Sequence, residues 1–262
     1  MGSALSDTAY AYIAEKLARR ELRAGQKVSE HRLACELGIS RTPVREAIHR
    51  LKNEGLLVQL ASSGTFVAEP SRRQIVEMYE VRIALEAMAV AKAVRRIRPA
   101  EVAELQQYAT DMRRLAHQFR DSGRPRMDGR LQRDFLAADA AFHKLIASVA
   151  QNNLVCKTLG DVHLRHCAFG LGSHFRDLYH VARICLYHGR IAAAVRRRDA
   201  RAARRLMQQH IRFSLREALF VFDAEPSDQE PAVRRPSRRG KGRRRNSTAG
   251  RRSPEDGGPA KE

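Results

Sequence analysis

The sequence predicts a mainly α protein with one small β-hairpin near its N-terminus. Apolar residues recur at the helical period through most of the first 222 residues, and two short β-type runs flank a Ser-Ser-Gly turn at residues 62–64. The last residues are rich in Pro, Ser, Gly and Arg, a composition that cannot bury a core. We therefore expect three helices plus the hairpin over residues 1–70, an all-α bundle of six to seven helices over residues 71–225, and a disordered basic tail over residues 226–262.

Residues 33–51 have the pattern of two short helices joined by a tight turn. Gly38 can adopt the left-handed conformation that ends a helix, and Ser40 is a suitable N-cap for the next one. Pro43 falls in the first turn of that second helix, where a missing N–H costs nothing. The polar residues of its first turns are Arg41, Thr42 and Arg45. This pattern fits a helix that presents its N-terminal residues to a DNA major groove, and it fits an ordinary solvated helix equally well.

The hairpin that follows separates these two interpretations. Gly55 closes the second helix, and residues 56–60 and 65–67 are strand-like runs joined by a turn. This order is that of a winged helix-turn-helix, and residues 6–70 resemble the DNA-binding domain of the GntR superfamily of bacterial repressors, above all at residues 40–47. The resemblance implies contacts with double-stranded DNA from the recognition helix and the wing tip, made by Ser40, Arg41, Thr42, Pro43, Arg45 and Gly64.

The positive charge of the chain lies mostly outside this DNA-binding part. The net charge is +20, of which residues 1–70 carry +2, residues 71–225 carry +12 and residues 226–262 carry +6. By the same resemblance, Ser63 stands where the family frequently has a basic residue, and His31 stands where some relatives have an Arg. We therefore expect operator affinity to depend on a few well-placed arginines and on a homodimer that binds a palindromic site.

The Arg-rich tail allows two interpretations. Its arginine pairs and triplet resemble a non-specific phosphate-binding arm. The same composition fits a solubilising tail without a partner. Only the first interpretation would make the chain an architectural protein that binds any DNA.

Composition also bears on the location of the protein. No apolar run approaches the ~20 residues that cross a bilayer, and the N-terminus lacks the apolar region of a secretory signal. The four cysteines have no C-x-x-C pairing, so we expect buried, reduced thiols at Cys35, Cys156, Cys167 and Cys185. These observations predict a cytoplasmic protein with no membrane partner.

Helical periodicity predicts the bundle. Residues 71–223 have no convincing strand pattern, and Pro99 suits the first turn of a helix. We expect helices near residues 75–95, 99–115, 131–150, 153–169, 174–197 and 200–222. Six amphipathic helices favour an antiparallel bundle.

Three histidines and one aspartate on these helices have the composition of a metal site. Asp139 and His143 are four residues apart, so both side chains share one helix face. His188 and His210 lie on the last two helices. Three neutral imidazoles and a carboxylate suit Zn, Ni or another late first-row divalent ion. By spacing alone, these residues could equally be surface or core histidines.

The residues around these positions carry a second resemblance. The segments concerned are Arg82-x-x-Leu85-Glu86, Asp139-x-x-Phe142-His143 with Asn152 nine residues further on, and His188-x-x-Ile191 followed by Asp199 and Met207-x-x-His210. Together they resemble the FCD effector domain of the FadR-like branch of GntR regulators, over residues 72–222. The resemblance implies one divalent ion held by Asp139, His143, His188 and His210. Arg198 replaces the family's usual Gly before Asp199, a change expected in a turn and not in the site.

An effector pocket beside the ion follows from the same resemblance. The candidate effector-binding residues are Arg82 and Asn152, although Arg82 could instead form a structural ion pair with Glu86. Four residues of the middle helices could also line the pocket: His163, Arg165, His166 and His174. An octahedral ion with four protein ligands keeps two positions that a small carboxylate can fill, so we expect an organic acid as the effector.

We therefore expect a DNA-binding transcriptional regulator, specifically a repressor, whose operator affinity is switched by the organic acid. A metal-dependent hydrolase and a non-specific architectural protein remain the alternatives. Hydrolytic zinc sites usually have three protein ligands, an open position and a general base. The sequence contains no H-E-x-x-H motif, and we expect no enzymatic activity.

Overall fold

The computed structural model describes residues 2–171 and 177–224 of the 262-residue chain. The predicted tail over residues 226–262 and His174 lie outside this described part. Its elements are α1 (Gly2–Ala18), β1 (Lys27–Val28), α2 (Glu30–Leu37), α3 (Arg41–Asn53), β2 (Leu57–Leu60), β3 (Gly64–Val67), α4 (Arg72–Arg96), α5 (Pro99–Asp121), α6 (Gly129–Val149), α7 (Asn153–Ala168), α8 (Leu178–Arg196) and α9 (Ala200–Ala224). The predicted fold class is confirmed: a helix-rich chain with a small sheet after the first helices.

The helix-turn-helix forms where the sequence predicts it. The hydroxyl of Ser29 accepts a hydrogen bond from the Arg32 amide at the start of α2, and Gly38 ends that helix with a left-handed φ of 65°. Gly55 follows α3 with a φ of 71°. Ser40 occupies the N-cap position of α3, but its side chain makes no capping hydrogen bond. The start of α3 therefore depends on tertiary packing rather than on a cap.

The hairpin carries a third strand that the sequence analysis did not predict. β2 and β3 pair antiparallel, with Leu57 opposite Val67 and Leu60 opposite Gly64. β1 pairs with the other edge of β3, which gives the strand order β1-β3-β2. A strand of two residues escapes recognition because the alternation that marks a strand needs about four residues or more.

Helices α4 to α9 form the bundle, and their number agrees with the prediction. α4 begins with a capping box between Ser71 and Gln74, and α5 begins at Pro99 as predicted. The largest fully buried side chains of the bundle include Tyr79, Phe119, Phe135, Phe142, Leu105 and Met112. Each such side chain contributes about 1.5–3 kcal/mol by leaving water. None of the helices in the described ranges is long and apolar enough to cross a membrane.

The turn between α8 and α9 contains an arginine in the left-handed region. Arg198 has a φ of 59°, a conformation that glycine adopts more easily. Its guanidinium donates to the Val94 carbonyl oxygen on α4 over 2.8 Å. The next residue, Asp199, accepts a hydrogen bond from the Ala202 amide at the start of α9. The bond to Val94 offsets part of the roughly 1–2 kcal/mol that the left-handed conformation costs.

The cysteines agree with the prediction except at one position. None of the four forms a disulfide. Cys185 is buried, and Cys156 and Cys167 are partly buried, but Cys35 is exposed. The expectation that Cys35 is buried is wrong, because the inward face of α2 is occupied by its neighbour Ala34.

Candidate DNA interface and metal centre

The recognition helix α3 presents most of the predicted DNA-contacting residues to solvent. Its buried apolar face consists of Val44, Ala47, Ile48 and Leu51. Its exposed polar residues in the first two turns include Arg41, Thr42 and Arg45, and Ser40 is exposed directly before them. Pro43 is buried, because the four-residue spacing places it on the same face as Ala47. The predicted DNA contact by Pro43 therefore stays a prediction, and its side chain packs on the buried face of α3.

One carboxylate holds both of the predicted DNA-reading arginines. Glu30 Oε2 lies 3.3 Å from Arg41 Nη2 and 3.2 Å from Arg45 Nη2. Both arginine side chains are more than half exposed, so each ion pair is worth about 1 kcal/mol or less and can be exchanged for a phosphate. Glu30 thus directs the two side chains without locking them. Sequence periodicity could not identify it, because Glu30 lies on the preceding helix.

The wing has a basic side chain although Ser63 is not basic. Lys27 of β1 lies beside Gly64, with its Cε 3.0 Å from the position that a Cβ on Gly64 would occupy. Its ammonium is 6.0 Å from the centroid of the Phe66 ring. Gly64 has a φ of 112°, which favours glycine. The cation next to the wing glycine therefore comes from β1, the strand that the sequence analysis missed.

The four predicted metal ligands converge inside the bundle. Asp139 and His143 lie on α6, His188 on α8 and His210 on α9, and one ligand atom from each lies within 4.8 Å of the others. His188 Nε2 is 3.2 Å from Asp139 Oδ1, and the Nε2 atoms of His143 and His210 are 3.3 Å apart. His188 is 0% exposed and His210 is 2% exposed. This is the donor set that late first-row divalent ions prefer.

A hydrogen bond on the outer side of the His188 ring and an ion-pair contact on the outer side of the His143 ring turn the inner nitrogens toward the cluster. His188 Nδ1 is 2.9 Å from the Ile184 carbonyl oxygen, so Nδ1 carries the proton and Nε2 keeps its lone pair. His143 Nδ1 is 2.5 Å from Glu86 Oε2. Buried His188 Nε2 finds no hydrogen-bond donor among the described residues. A lone pair that faces the Asp139 carboxylate is unfavourable without a cation between them, so the residues present fit a metal ion.

The electrostatic surroundings favour the metal-binding forms of two of these groups. Burial, with a contribution from the neighbouring His188 and His143, holds the pKa of His210 well below its usual range and keeps the imidazole neutral. Burial by itself raises the pKa of Asp139, but the adjacent imidazoles, His188 first, hold it below the usual range. For His143, burial lowers the pKa, but the Glu86 carboxylate raises it by more, so that the pKa lies above its usual value. A metal ion at this site therefore competes with a proton on His143.

Arg82 both forms the ion pair with Glu86 and lies at the cavity, the two positions that the sequence left open for it. Its Nε donates to Glu86 Oε1 over 2.8 Å in a largely buried ion pair, and its side chain also lines a cavity beside the cluster. Glu86 contacts His143 through its other oxygen. A continuous chain of contacts therefore runs from the cavity to a predicted metal ligand. Sequence reasoning treated Glu86 only as a possible partner of Arg82, because nothing in the sequence relates it to His143 on another helix.

The cavity beside the cluster has a volume of about 40 Å³. Its polar lining residues are Tyr79, Arg82, Asp139, His166, His180, His210, Ser214 and Glu217. His180 pairs with Glu217 and lies 2.7 Å from Asp177 Oδ1. A site that holds a water molecule needs about 10–15 Å³, so the cavity has room for about three water molecules or a small ligand.

Asn152 does not belong to this cavity. It precedes α7, and its side-chain oxygen accepts a hydrogen bond from the Val155 amide over 3.2 Å. An Asn at the N-cap position satisfies one of the free amides of the first turn. The structure therefore does not bring Asn152 together with Arg82, and its contact with an effector stays a prediction.

The residues predicted on the middle helices separate into three environments. His166 lines the cavity, where its Nε2 lies 3.1 Å from the Tyr79 hydroxyl. His163 lies on α7 next to Cys167, 3.5 Å from its sulfur. Arg165 donates to a backbone carbonyl of the N-terminal part, at Glu54. Of these three described residues, one belongs to the cavity.

Two family models match the chain. Residues 5–67 match the bacterial regulatory proteins of the gntR family, and residues 77–213 match the FCD domain. Both are families of regulators and not of enzymes.

Similar proteins agree with these matches. The chain is 31% identical over 140 residues to the Nta operon transcriptional regulator of Aminobacter aminovorans, covering 53% of this chain and 61% of that protein. It is 26% identical over 209 residues to the HTH-type transcriptional repressor RspR of Escherichia coli, covering 78% and 84%. The fold resembles E. coli McbR/YncC with a TM-score of 0.70 at 21% identity, covering 83% and 98%. The chain thus belongs to the GntR family of bacterial transcriptional regulators and carries an FCD domain.

Proposed function

We propose that the protein is a cytoplasmic repressor that binds a palindromic operator as a homodimer and responds to a small organic acid beside a divalent metal ion. The observation that carries this proposal is the convergence of four metal-binding side chains next to a cavity lined by Arg82. The similar E. coli protein RspR is named a repressor, which supports repression over activation. A hydrolase is set aside because the matched families are regulators.

On the DNA side, the proposed contacts to the duplex come from two arginines and one lysine. Arg41 and Arg45 exchange Glu30 for guanine edges or phosphates when α3 enters the major groove. Lys27 approaches a phosphate beside the wing glycine, Gly64. Two copies of this arrangement, related by a two-fold axis, match the two half-sites of a palindrome.

On the ligand side, Arg82 and Glu86 form the connection between the cavity and the cluster. The imidazole and carboxylate donors suit Zn or Ni, and the bound ion supplies positive charge for a carboxylate ligand. Arg82 offers a second positive charge at the cavity, with Glu86 as the partner that an incoming carboxylate replaces. The other oxygen of Glu86 orients the ring of His143.

Glu86→Gln is expected to weaken metal binding by about 10–100-fold, because a neutral amide orients the His143 ring less strongly than a carboxylate. The measurement is a competition titration of the purified protein against a chromophoric chelator. Glu80→Gln is the matched control, since Glu80 is an exposed acid on the same helix. Equal metal affinity in the Glu86 and Glu80 variants would contradict the positioning role.

Selection of binding sites from a random-sequence duplex library tests the proposed function. We expect enrichment of one palindrome, which the protein binds at least about 10³-fold more tightly than unrelated DNA. Metal-loaded protein is then titrated with hydroxy, keto and sugar acids, and one class should change the operator affinity until a chelator removes the effect. Equal binding of all duplexes would instead support an architectural protein.

A further inference from the structure

The end of helix α7 contacts both the effector cavity and the recognition helix. His166 lines the cavity and lies 3.1 Å from the hydroxyl of Tyr79, which also lines it. The preceding residue, Arg165, donates from Nη2 to the carbonyl oxygen of Glu54 over 2.7 Å. Glu54 is the C-cap residue of α3. Neighbouring residues of one helical turn therefore contact the two regions that a regulator has to couple.

The contact of Arg165 is directed at a part of α3 that needs a partner. The last carbonyl oxygens of a helix receive no hydrogen bond from an amide within the helix. The negative end of the helix dipole also favours a cation there. The Glu54 carboxylate is held from the other side, where it accepts a hydrogen bond from the Tyr10 hydroxyl on α1. Arg165 is exposed, so the contact can form and break without burying an unpaired charge.

Apolar packing joins the same turn of α7 to the N-terminal part. Ala168 is 2% exposed and belongs to the hydrophobic core formed by α1, α2 and α3. Leu164 packs against the same core, and Phe169 packs against this core and against the core of the bundle. Gly170 approaches Arg20 so closely that an added Cβ would lie 2.8 Å from Arg20 Nη2. A shift of this turn therefore disturbs its packing against α1 and the N-terminal core.

We infer that α7 transmits the state of the cavity to the recognition helix, with His166 as the contact on the cavity side and Arg165 as the contact on the DNA side. The inference rests on the proposed function only in assigning the cavity to an effector. A ligand that displaces His166 from Tyr79 moves the last turn of α7. Arg165 then releases or pulls the end of α3, which changes the orientation of Arg41 and Arg45 toward DNA.

Hydrogen exchange of the full-length protein tests this coupling without DNA, metal or effector. The reporters are backbone amides at the end of α3, which donate to Arg50, Lys52 and Leu51 carbonyl groups. Tyr79→Phe removes the hydroxyl that contacts His166 and keeps the ring over which the Arg82 guanidinium lies. We expect it to speed exchange of these reporters by about five-fold, the effect of losing one net hydrogen bond. Arg165→Met should have a similar effect, and the double variant should exchange like Arg165→Met alone.

Two matched controls separate coupling from general destabilisation. Tyr108→Phe removes a hydroxyl that contacts Glu104 on α5, and Lys157→Met removes an exposed cation from α7. Both should leave exchange at the end of α3 unchanged. Unchanged exchange in Tyr79→Phe, or effects that simply add in the double variant, would overturn the inference. Neither outcome would change the result of the operator selection, so the test of the coupling through α7 is independent of the test of the proposed function.

Discussion

Arg45→Ala is expected to abolish specific operator binding while the protein stays folded. Arg45 is exposed on the second turn of α3, and among the described residues it pairs with the exchangeable carboxylate of Glu30. A bidentate arginine contact with a base contributes about 1–3 kcal/mol, and a dimer loses it at both half-sites. The operator affinity should therefore fall by about 10²-fold or more. The measurement is a gel-shift or fluorescence titration of the selected operator at constant salt.

Arg50→Ala is the matched control for this change. Arg50 lies on the same helix, but it pairs with Asp7 and stacks over the Tyr10 ring at 4.4 Å. It therefore faces α1 and not the proposed DNA surface. The control removes the same charge and should leave operator specificity intact. Full operator affinity in Arg45→Ala would show that α3 does not read DNA in the proposed way.

His188→Ala is expected to lower the bound metal from about one ion per chain to nearly none. His188 is fully buried, and its Nε2 faces Asp139, so its loss removes one of four ligands from the centre of the cluster. Metal at 100 times its Kd stabilises a protein by about 2.7 kcal/mol. The Tm of the wild type should therefore rise by about 5–10 °C on metal addition, and that of the variant should not. Elemental analysis and a thermal melt measure the two effects.

A less disruptive variant tests the same site in case His188→Ala does not fold. Asp139→Asn keeps the shape of the side chain and removes the charge of the ligand, so that it should also lose the metal-dependent rise in Tm. His117→Ala removes an exposed histidine from α5 and should retain both the metal and the rise. Metal content in His188→Ala equal to that of the wild type would exclude His188 as a ligand.

The sequence predicted most of the secondary structure because the signals involved are local. Gly38 and Gly55 have the positive φ values that their positions at helix ends suggested, and Pro99 begins α5. Six bundle helices follow from a period that is visible within each segment. The gaps in the prediction arose where a local signal was too short or allowed two roles. β1 has two residues, and the sequence did not reveal that Asn152 caps α7 or that Pro43 lies on the buried face of α3.

The partners of the site residues could not be predicted from the sequence in the same way. Glu30 pairs with both arginines that are predicted to read DNA, Lys27 lies beside the wing glycine, and Glu86 contacts His143. Each of these contacts joins two separate elements. Spacing along one helix or strand therefore contains no information about them.

The sequence by itself determined which segments become helices, which turn forms the wing and which residue types are available as metal ligands. These depend on backbone preferences and on periodicities of two or 3.6 residues, which act over a few positions. The tertiary structure decided that side chains from α6, α8 and α9 meet at one point, and that α7 lies between the cavity and the recognition helix. Those outcomes depend on how the apolar faces of distant helices pack together, because only that packing brings residues far apart in the chain within bonding distance.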